Sequence, residues 1–329
     1  MWTVDQANEW YDAQPWICGL NYIPAHTISY TEMWMDYAWD LKRIDAELAL
    51  AEDIGINALR VVLPFVVWEA EPEAFQQRFE EFLTVADKRG MRVAPCFFDD
   101  CAFGEKGLEN PKFGQQPDVL EGWYASGWTP SPGHDRVRDE SVHPALERYV
   151  KSIMTAHKDD KRILMWDLYN EPTNSEMMPD SLPLLDKVFA WAREINPSQP
   201  ITSGLWHPRV QEILLEKSDV ITFHHYESPE KLRAFIHDLK KHGRPLINTE
   251  WLNRAAGSTV EGCLPVFKEE RVGCMHWGLV NGRTQTHLGW GSRPDRLRQG
   301  EWQHDLFHND HTPYRPEELK LFKKLIEEA

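Results

Sequence analysis

Short apolar runs alternate with amphipathic stretches along most of the 329-residue chain. Each run has four to eight residues, which is too short for a typical helix, so it predicts a buried strand. Parallel strands joined by crossover helices produce this alternation. The predicted strands are Trp16–Tyr22, Asn57–Leu63, Met91–Phe98, Ile163–Tyr169, Pro200–Ser203, Val220–His225, Pro245–Thr249 and Val272–Trp277.

The stretches between the runs carry apolar residues at helical spacing. Leu41, Ile44 and Leu48 recur every three to four residues, which favours an amphipathic helix. Eight strand–helix alternations predict one closed (β/α)8 TIM barrel, a single α/β domain over residues 1–329. The predicted helices are Asp40–Asp53, Phe75–Lys88, Pro144–Ala156, Leu182–Ile195, Val210–Glu216, Glu230–Lys241, Val260–Glu269 and Pro316–Glu328.

Two long stretches interrupt the alternation. Residues 99–143, after the third strand, are rich in Gly, Pro and Trp and show no clear period. Residues 278–315, after the eighth strand, are similarly irregular. Irregular segments of this length in a compact domain are usually functional loops or lids, so we expect both to contribute to a site.

Composition limits the partners that the chain can have. Its 52 acidic and 36 basic side chains give a formal net charge of −16, which argues against nucleic acid or an anionic membrane and favours a neutral substrate. The N-terminal residues do not resemble a secretory signal, and no run of 18 apolar residues occurs. Five scattered cysteines suit buried thiols in a reducing compartment. We therefore expect a cytoplasmic protein; the sequence does not indicate its oligomeric state.

Chemically active side chains collect where the predicted strands end. The carboxyl ends of barrel strands are where this fold positions its chemistry. Two glutamates stand out, because they follow strands four and seven, on opposite sides of the barrel mouth. The candidates are Arg60, Asp99, Asp100, Asn170, Glu171, Trp206, His224, Tyr226, Glu250 and Trp277.

Paired carboxylates across a cleft are the equipment of glycoside hydrolysis. One must be protonated to help the leaving group depart, while the other must be ionised. Arg60 and the Tyr226 hydroxyl are the donors available to keep Glu250 ionised. Because alternate strand residues share a side, His224 is expected to enter the cleft with Tyr226, whereas His225 points away.

Sugar-binding groups are also available at these strand ends. Asn170 can donate a hydrogen bond to a sugar 2-hydroxyl, a contact that strengthens in the transition state. Trp277 and Trp206 offer flat apolar faces for stacking on sugar rings. Trp34 and Trp290 are further candidates, and no cofactor or metal is required for this chemistry.

The motifs W-D-L-Y-N-E-P, H-H-Y, T-E-W and H-W-G, together with Arg60, resemble the clan of retaining β-glycosidases that includes glycoside hydrolase family 5, the cellulase-like barrels. G-L-N-Y-I-P, E-M-W and W-Q-H-D-L-F are similar to a subgroup labelled cellulase- or xylanase-like. The resemblance implies that Glu171 is the general acid/base and Glu250 the nucleophile. It also implies site roles for Arg60, His224 with Tyr226, and Trp277.

The third strand departs from the family pattern. Family members typically have a His at its end, whereas this chain has Asp99 and Asp100. Acids there could bind hydroxyls of a terminal sugar, which favours exo action or an unusual specificity.

Three alternatives to hydrolysis remain open from the sequence alone. A carbohydrate-binding barrel without turnover is one, although the presence of both glutamates argues against it. Transglycosylation, with a sugar as acceptor in place of water, is another. A metal site at His304, His308 and His311 is the third, but these residues lack a recognised zinc framework.

Overall fold

A computed structural model describes residues 1–296 and 300–328, and within them eight strands form one parallel sheet. Every strand bound but one lies within two residues of its predicted position. The exception is the start of β4, three residues later than predicted, because Ile163 makes only an isolated bridge with Val93. The strands are β1 Cys18–Asn21, β2 Ala58–Val62, β3 Arg92–Asp99, β4 Trp166–Asn170, β5 Ile201–Thr202, β6 Ile221–His224, β7 Leu246–Trp251 and β8 Gly273–Trp277.

The sheet closes into a barrel. Its strand order is β5-β4-β3-β2-β1-β8-β7-β6, and neighbouring strands in it pair in parallel. Leu205, beyond β5, joins Phe223 of β6 in a parallel bridge, and the Leu205 amide donates to the Thr222 carbonyl at 2.8 Å. The predicted (β/α)8 barrel is therefore confirmed.

A helix follows each strand, and side chains cap the first backbone amides of several of these helices. Asp40 accepts from the amides of Lys42 and Arg43, which fixes the start of α3 one residue after the predicted one. None of α1, α2, α4 and α6 was predicted, and all but α1 are short. The helices are α1 Val4–Asp12, α2 Tyr30–Met33, α3 Leu41–Asp53, α4 Phe65–Ala70, α5 Pro72–Lys88, α6 His134–Arg138, α7 His143–His157, α8 Leu182–Ile195, α9 Pro208–Lys217, α10 Pro229–Leu239, α11 Val260–Glu269 and α12 Pro316–Glu327.

The first helix, α1, covers the amino-terminal end of the barrel. Ala7 is fully buried in a cluster with apolar residues of the strands, such as Ala94 and Met275. The Trp2 amide donates to Asp219 at 2.6 Å, which anchors the start of the helix. This end is filled by side chains, so only the carboxyl ends of the strands remain to form a site.

The two long irregular segments join above the barrel. Residues 100–133 follow β3 and residues 278–315 follow β8, of which 297–299 lie outside the described residues. The amides of Tyr124 and Ala125 donate to the carbonyls of Ser292 (3.2 Å) and Thr284 (3.0 Å). The Gln285 side chain bonds three further backbone groups of the first segment, at 2.8–3.0 Å. We call the joined segments the loop wall.

Three predictions from the sequence concern the interior and the surface. Trp34 is fully buried and donates to the Val62 carbonyl at 2.9 Å, so it is a core residue and not a sugar platform. All five cysteines are buried and unpaired. In the described part of the chain, no helix combines the length and the apolar character needed to cross a bilayer.

Candidate active site

A cavity of about 770 Å³ opens at the carboxyl ends of the strands. It contains both predicted glutamates, Glu171 and Glu250, together with Asn170 and His224. One end lies against the loop wall, and the other opens between α9 and α10. Its aromatic lining consists of Phe103, Tyr124, Trp128, Trp206, Tyr226, Phe235, Trp277 and Trp290.

Local backbone irregularities direct the two glutamates into this cavity. Glu171 follows β4 with a φ of +43°, a left-handed conformation that is uncommon for a non-glycine residue. In β7 the register with β6 shifts, so that His224 pairs with Glu250 while Phe223 pairs with Asn248. Such bulges redirect side chains next to active sites. Oxygens of Glu171 and Glu250 and a ring nitrogen of His224 consequently lie within 4.8 Å of one another.

Arg60 is the centre of the polar network beneath the cavity. It is 1% exposed, and Nε donates to Asp167 at 2.8 Å. Nη1 donates to Glu250 at 2.9 Å and to Asn21 at 2.8 Å, while Nη2 donates to Asn170 at 2.7 Å. The guanidinium therefore pairs with two buried carboxylates and fixes two site residues, which a point-like ammonium could not do.

We expect Arg60→Ala to destabilise the protein by about 3–5 kcal/mol, because Asp167 and Glu250 would lose their buried cation. We also expect a loss of activity in the fraction that still folds. Denaturant unfolding and kcat/KM at low temperature would measure the two effects.

Arg254→Ala is the matched control for this variant. Arg254 is 3% exposed and pairs with buried Glu318 at 2.5 Å, so its removal should also destabilise the protein. Its hydrogen bonds go to Glu318 and to carbonyls of the segment after β8, and not to either glutamate of the cavity, so kcat of the folded enzyme should be retained. Equal loss of kcat in both variants would contradict a specific role for Arg60.

Glu250 is surrounded by donors. Oε1 accepts from Arg60, and Oε2 accepts from the Tyr226 hydroxyl at 2.8 Å. The His224 Nδ1 lies 3.4 Å from Oε2. Arg60 and Tyr226, the two donors that the sequence suggested for Glu250, thus both contact it.

Glu171 has a different set of partners. Oε1 accepts from His224 Nδ1 at 2.7 Å, whereas Oε2 accepts from the Cys101 thiol at 3.2 Å and from the Asn174 amide. Burial acts to raise the pKa of Glu171, but the hydrogen bond and charge of His224 outweigh it and lower that pKa. A protonated carboxyl was expected at one of the two glutamates, whereas His224 lowers the pKa of Glu171.

The pKa of His224 shifts in the direction opposite to that of Glu171. Burial acts to lower its pKa, but the nearby charges of Glu250 and Glu171 raise it overall. The hydrogen bond between Nδ1 and Oε1 holds one proton between the two groups and favours their charged forms. Transfer of this proton to Oε1 over 2.7 Å would generate the acid form of Glu171.

A metal ion would not fit this cluster without rearrangement. Zinc ligands at about 2.0–2.2 Å in a tetrahedral site are about 3.3 Å apart. His224 Nδ1 and Glu171 Oε1 are only 2.7 Å apart, a hydrogen-bond distance. A second group, Glu80, His157 and Asp160, has its carboxylates paired with Arg162. In the described chain, His304, His308 and His311 do not form a group with ligand spacing.

The predicted sugar contacts of Asp99 and Asp100 do not hold in this geometry. Both side chains are 0% exposed. Asp99 accepts from Asn170 Nδ2 (2.8 Å), Trp128 Nε1 (2.9 Å) and the Cys101 amide (3.0 Å). Asp100 accepts from the Tyr169 hydroxyl and the Thr173 amide, both at 2.7 Å. Protein donors occupy their oxygens, so these carboxylates position other residues behind the cavity wall.

The remaining predicted residues surround the cavity. Trp277 lies in the wall next to Trp128, with ring centroids 5.5 Å apart. Trp206 donates to the Pro172 carbonyl at 2.8 Å, which ties it to the Glu171 turn. Trp290 packs edge-on against Tyr226 at 4.7 Å. His225, predicted to point away from the cleft, also lines the cavity, but its ring stacks on Phe235 at 5.6 Å.

Sequence reasoning missed four residues of the network: Asn21, Asp167, Cys101 and Asn174. A charged residue inside an apolar strand must be paired when buried, so Asp167 could have been recognised as a partner of Arg60. Asn21 ends β1 and could have been read with the other strand ends. Cys101 and Asn174 lie in loops, and no local pattern indicated their contacts with Glu171.

Comparison with known proteins supports a carbohydrate-active enzyme. Residues 79–270 match the model of the family described as glycosyl hydrolases family 2, TIM barrel domain. No curated protein matches the chain.

Solved structures share the fold at low sequence identity. The exo-β-1,4-mannosidase Op5Man5 from Opitutaceae bacterium strain TAV5 has a TM-score of 0.65 at 18% identity, covering 95% of this chain and 59% of its own length. The endo-β-1,4-mannanase from Thermotoga petrophila has 0.60 at 16%, covering 96% and 77%. The glycoside hydrolase family 5 mannosidase from Rhizomucor miehei has 0.58 at 14%, covering 95% and 92%.

Proposed function

Because the chain belongs to the family of glycosyl hydrolases family 2, TIM barrel domain, and is thus a glycoside hydrolase, we propose that it cleaves β-glycosidic bonds with net retention. Glu250 is the nucleophile and Glu171 the acid/base in this proposal. The observation that carries it is the close approach of the two carboxylates, each with its own set of donors. Retaining enzymes have carboxyl groups about 5–5.5 Å apart, whereas inverting enzymes need about 6.5–9.5 Å.

The reaction follows from the contacts of each carboxylate. Glu250 attacks the anomeric carbon and forms a glycosyl ester, while Glu171 donates its proton to the departing oxygen. Glu171 then removes a proton from water, which attacks the same carbon and releases Glu250. Esterification removes the charge of Glu250, one of the charges that raise the pKa of His224. Loss of that charge as the ester forms favours transfer of the imidazole proton to Glu171, which passes it to the departing oxygen.

The shape of the cavity supports exo action, although by a different route from the one that the sequence suggested. Glu250 bonds to Tyr226, which packs on Trp290 of the loop wall, so the nucleophile lies on the loop-wall side of the cavity. The turn after Glu171 bonds to Trp206, which lines the cavity together with exposed residues of α10 such as Lys231 and Asp238. In this proposal a terminal sugar occupies the loop-wall side of the cavity, and the leaving group extends toward α9 and α10.

Mannosides are the first substrates to test, because two structural neighbours are named mannosidases and one a mannanase. Aryl β-glycosides of several epimers and reducing-end-labelled β-oligosaccharides should be incubated with the enzyme, and early products analysed by proton NMR. We expect the β-anomer first and stepwise loss of terminal sugars. Initial α-anomer would contradict retention, random internal cleavage would contradict exo action, and transfer to added sugar acceptors would identify a transglycosylase.

A further inference from the structure

Cys101 lies two residues beyond the end of β3, at the edge of the cavity and against the candidate acid/base. Its side chain is buried, and Sγ is 3.2 Å from Glu171 Oε2. Among the described residues, none of the other four cysteines forms a hydrogen bond with either catalytic carboxylate. The position therefore differs from that of an ordinary core thiol.

The thiol donates to Glu171 at 3.2 Å, and Asp99 is a second acceptor within its reach. Asn170 Nδ2 lies 3.6 Å from Sγ and donates to it, which leaves the single S–H hydrogen for another acceptor. Asp99 Oδ1 accepts from both the Cys101 amide and Asn170 Nδ2, at 3.0 and 2.8 Å. Asp99 thus orients the thiol through two hydrogen bonds, one from the Cys101 amide and one from the Asn170 side chain that contacts Sγ.

The thiol also remains a donor throughout the working pH range. Burial, and then the charges of Asp99, Glu171 and Glu250, raise the pKa of Cys101 well above its usual value. A protonated thiol donates, whereas a thiolate beside three carboxylates would repel them.

Glu171 is faced by titratable groups from several elements. Cys101 comes from the segment after β3, His224 from β6, Tyr226 from the segment after β6, and Glu250 from β7. The thiol shares Oε2 with the neutral Asn174 amide, whereas His224 bonds the other oxygen. The contribution of Cys101 can therefore be varied without removing either neighbouring contact.

Resting on the proposed role of Glu171, we propose that Cys101 is a positioning residue that sets the protonation of this acid/base through a thiol hydrogen bond to Oε2. A donor to the ionised carboxylate favours the charged form, so its loss should leave Glu171 protonated to higher pH. A general acid loses activity as pH rises through its pKa. Cys101 thereby adjusts the upper pH limit of turnover.

The test compares Cys101→Ala with Cys101→Ser. In the alanine variant we expect the basic limb of the kcat/KM profile to move to higher pH by about half a unit. Serine restores an O–H donor, so its basic limb should lie near or below that of the unmodified enzyme. Cys263→Ala, which removes a buried thiol from α11, should leave the limb in place.

A second measurement does not depend on turnover. The Glu171 carboxyl carbon can be titrated by NMR in protein with ¹³C-labelled glutamate, its signal assigned by its absence in Glu171→Gln. A shift in the alanine variant without any hydrolysis by the native enzyme would support the contact and overturn the proposed function. Hydrolysis with identical titration in all variants, or equal shifts for alanine and serine, would overturn the role of Cys101.

Discussion

Glu250→Ala is expected to lose glycoside hydrolysis by more than about 10⁴-fold, because no other side chain can form the glycosyl ester in its place. The loss should appear with activated and unactivated substrates alike, since both need the nucleophile. Steady-state kcat with an aryl β-glycoside that the native enzyme cleaves measures it. Removal of the side chain also leaves Arg60 and Tyr226 facing a small space near the anomeric carbon.

Added azide can enter that space and act as the nucleophile in place of Glu250, so its product identifies the role of the missing side chain. It would attack from the side that Glu250 occupied, so one inversion converts a β-glycoside into an α-glycosyl azide. Glu318→Gln is the control, because it alters another buried glutamate with an arginine partner and should leave kcat nearly unchanged in folded protein. Residual activity near the native level in Glu250→Ala would disprove the assignment.

Glu171→Ala is expected to lower activity much more on substrates with poor leaving groups than on substrates with good ones. A poor leaving group needs a proton, so kcat/KM for an alkyl or sugar leaving group should fall by about 10²–10⁴. A strongly activated phenol departs without a proton, and its kcat/KM should fall far less. For such substrates kcat should still drop, since water lacks its general base and the glycosyl enzyme accumulates, as a burst of phenol would reveal.

Azide again provides the decisive product for this variant. It would attack the accumulated intermediate in place of water, and two inversions yield a β-glycosyl azide. An α-product in Glu171→Ala would reverse the roles of the two glutamates. Glu171→Gln, which keeps the shape of the side chain, should give the same dependence on leaving group.

The sequence determined the barrel and the position of its reactive end. Apolar runs and helical periods are local properties, because each segment buries one face regardless of its distant neighbours. Parallel strands joined by crossovers place all their carboxyl ends together, so Glu171 and Glu250 could be paired before any contact was known. Motif resemblance supported the same pair.

Contacts between distant segments were decided only by the tertiary structure. Asp99 and Asp100 look like free acids in the sequence, yet folding buries them among Asn170, Trp128, Tyr169 and other donors. The loop wall forms from segments more than a hundred residues apart, and the Cys101–Glu171 bond spans seventy. Such contacts depend on how irregular loops dock, which has no periodic signal. The local sequence pattern thus specifies which end of the barrel carries the reactive residues. The protonation of those residues and the shape of the cavity depend on long-range packing, because packing removes the side chains from water.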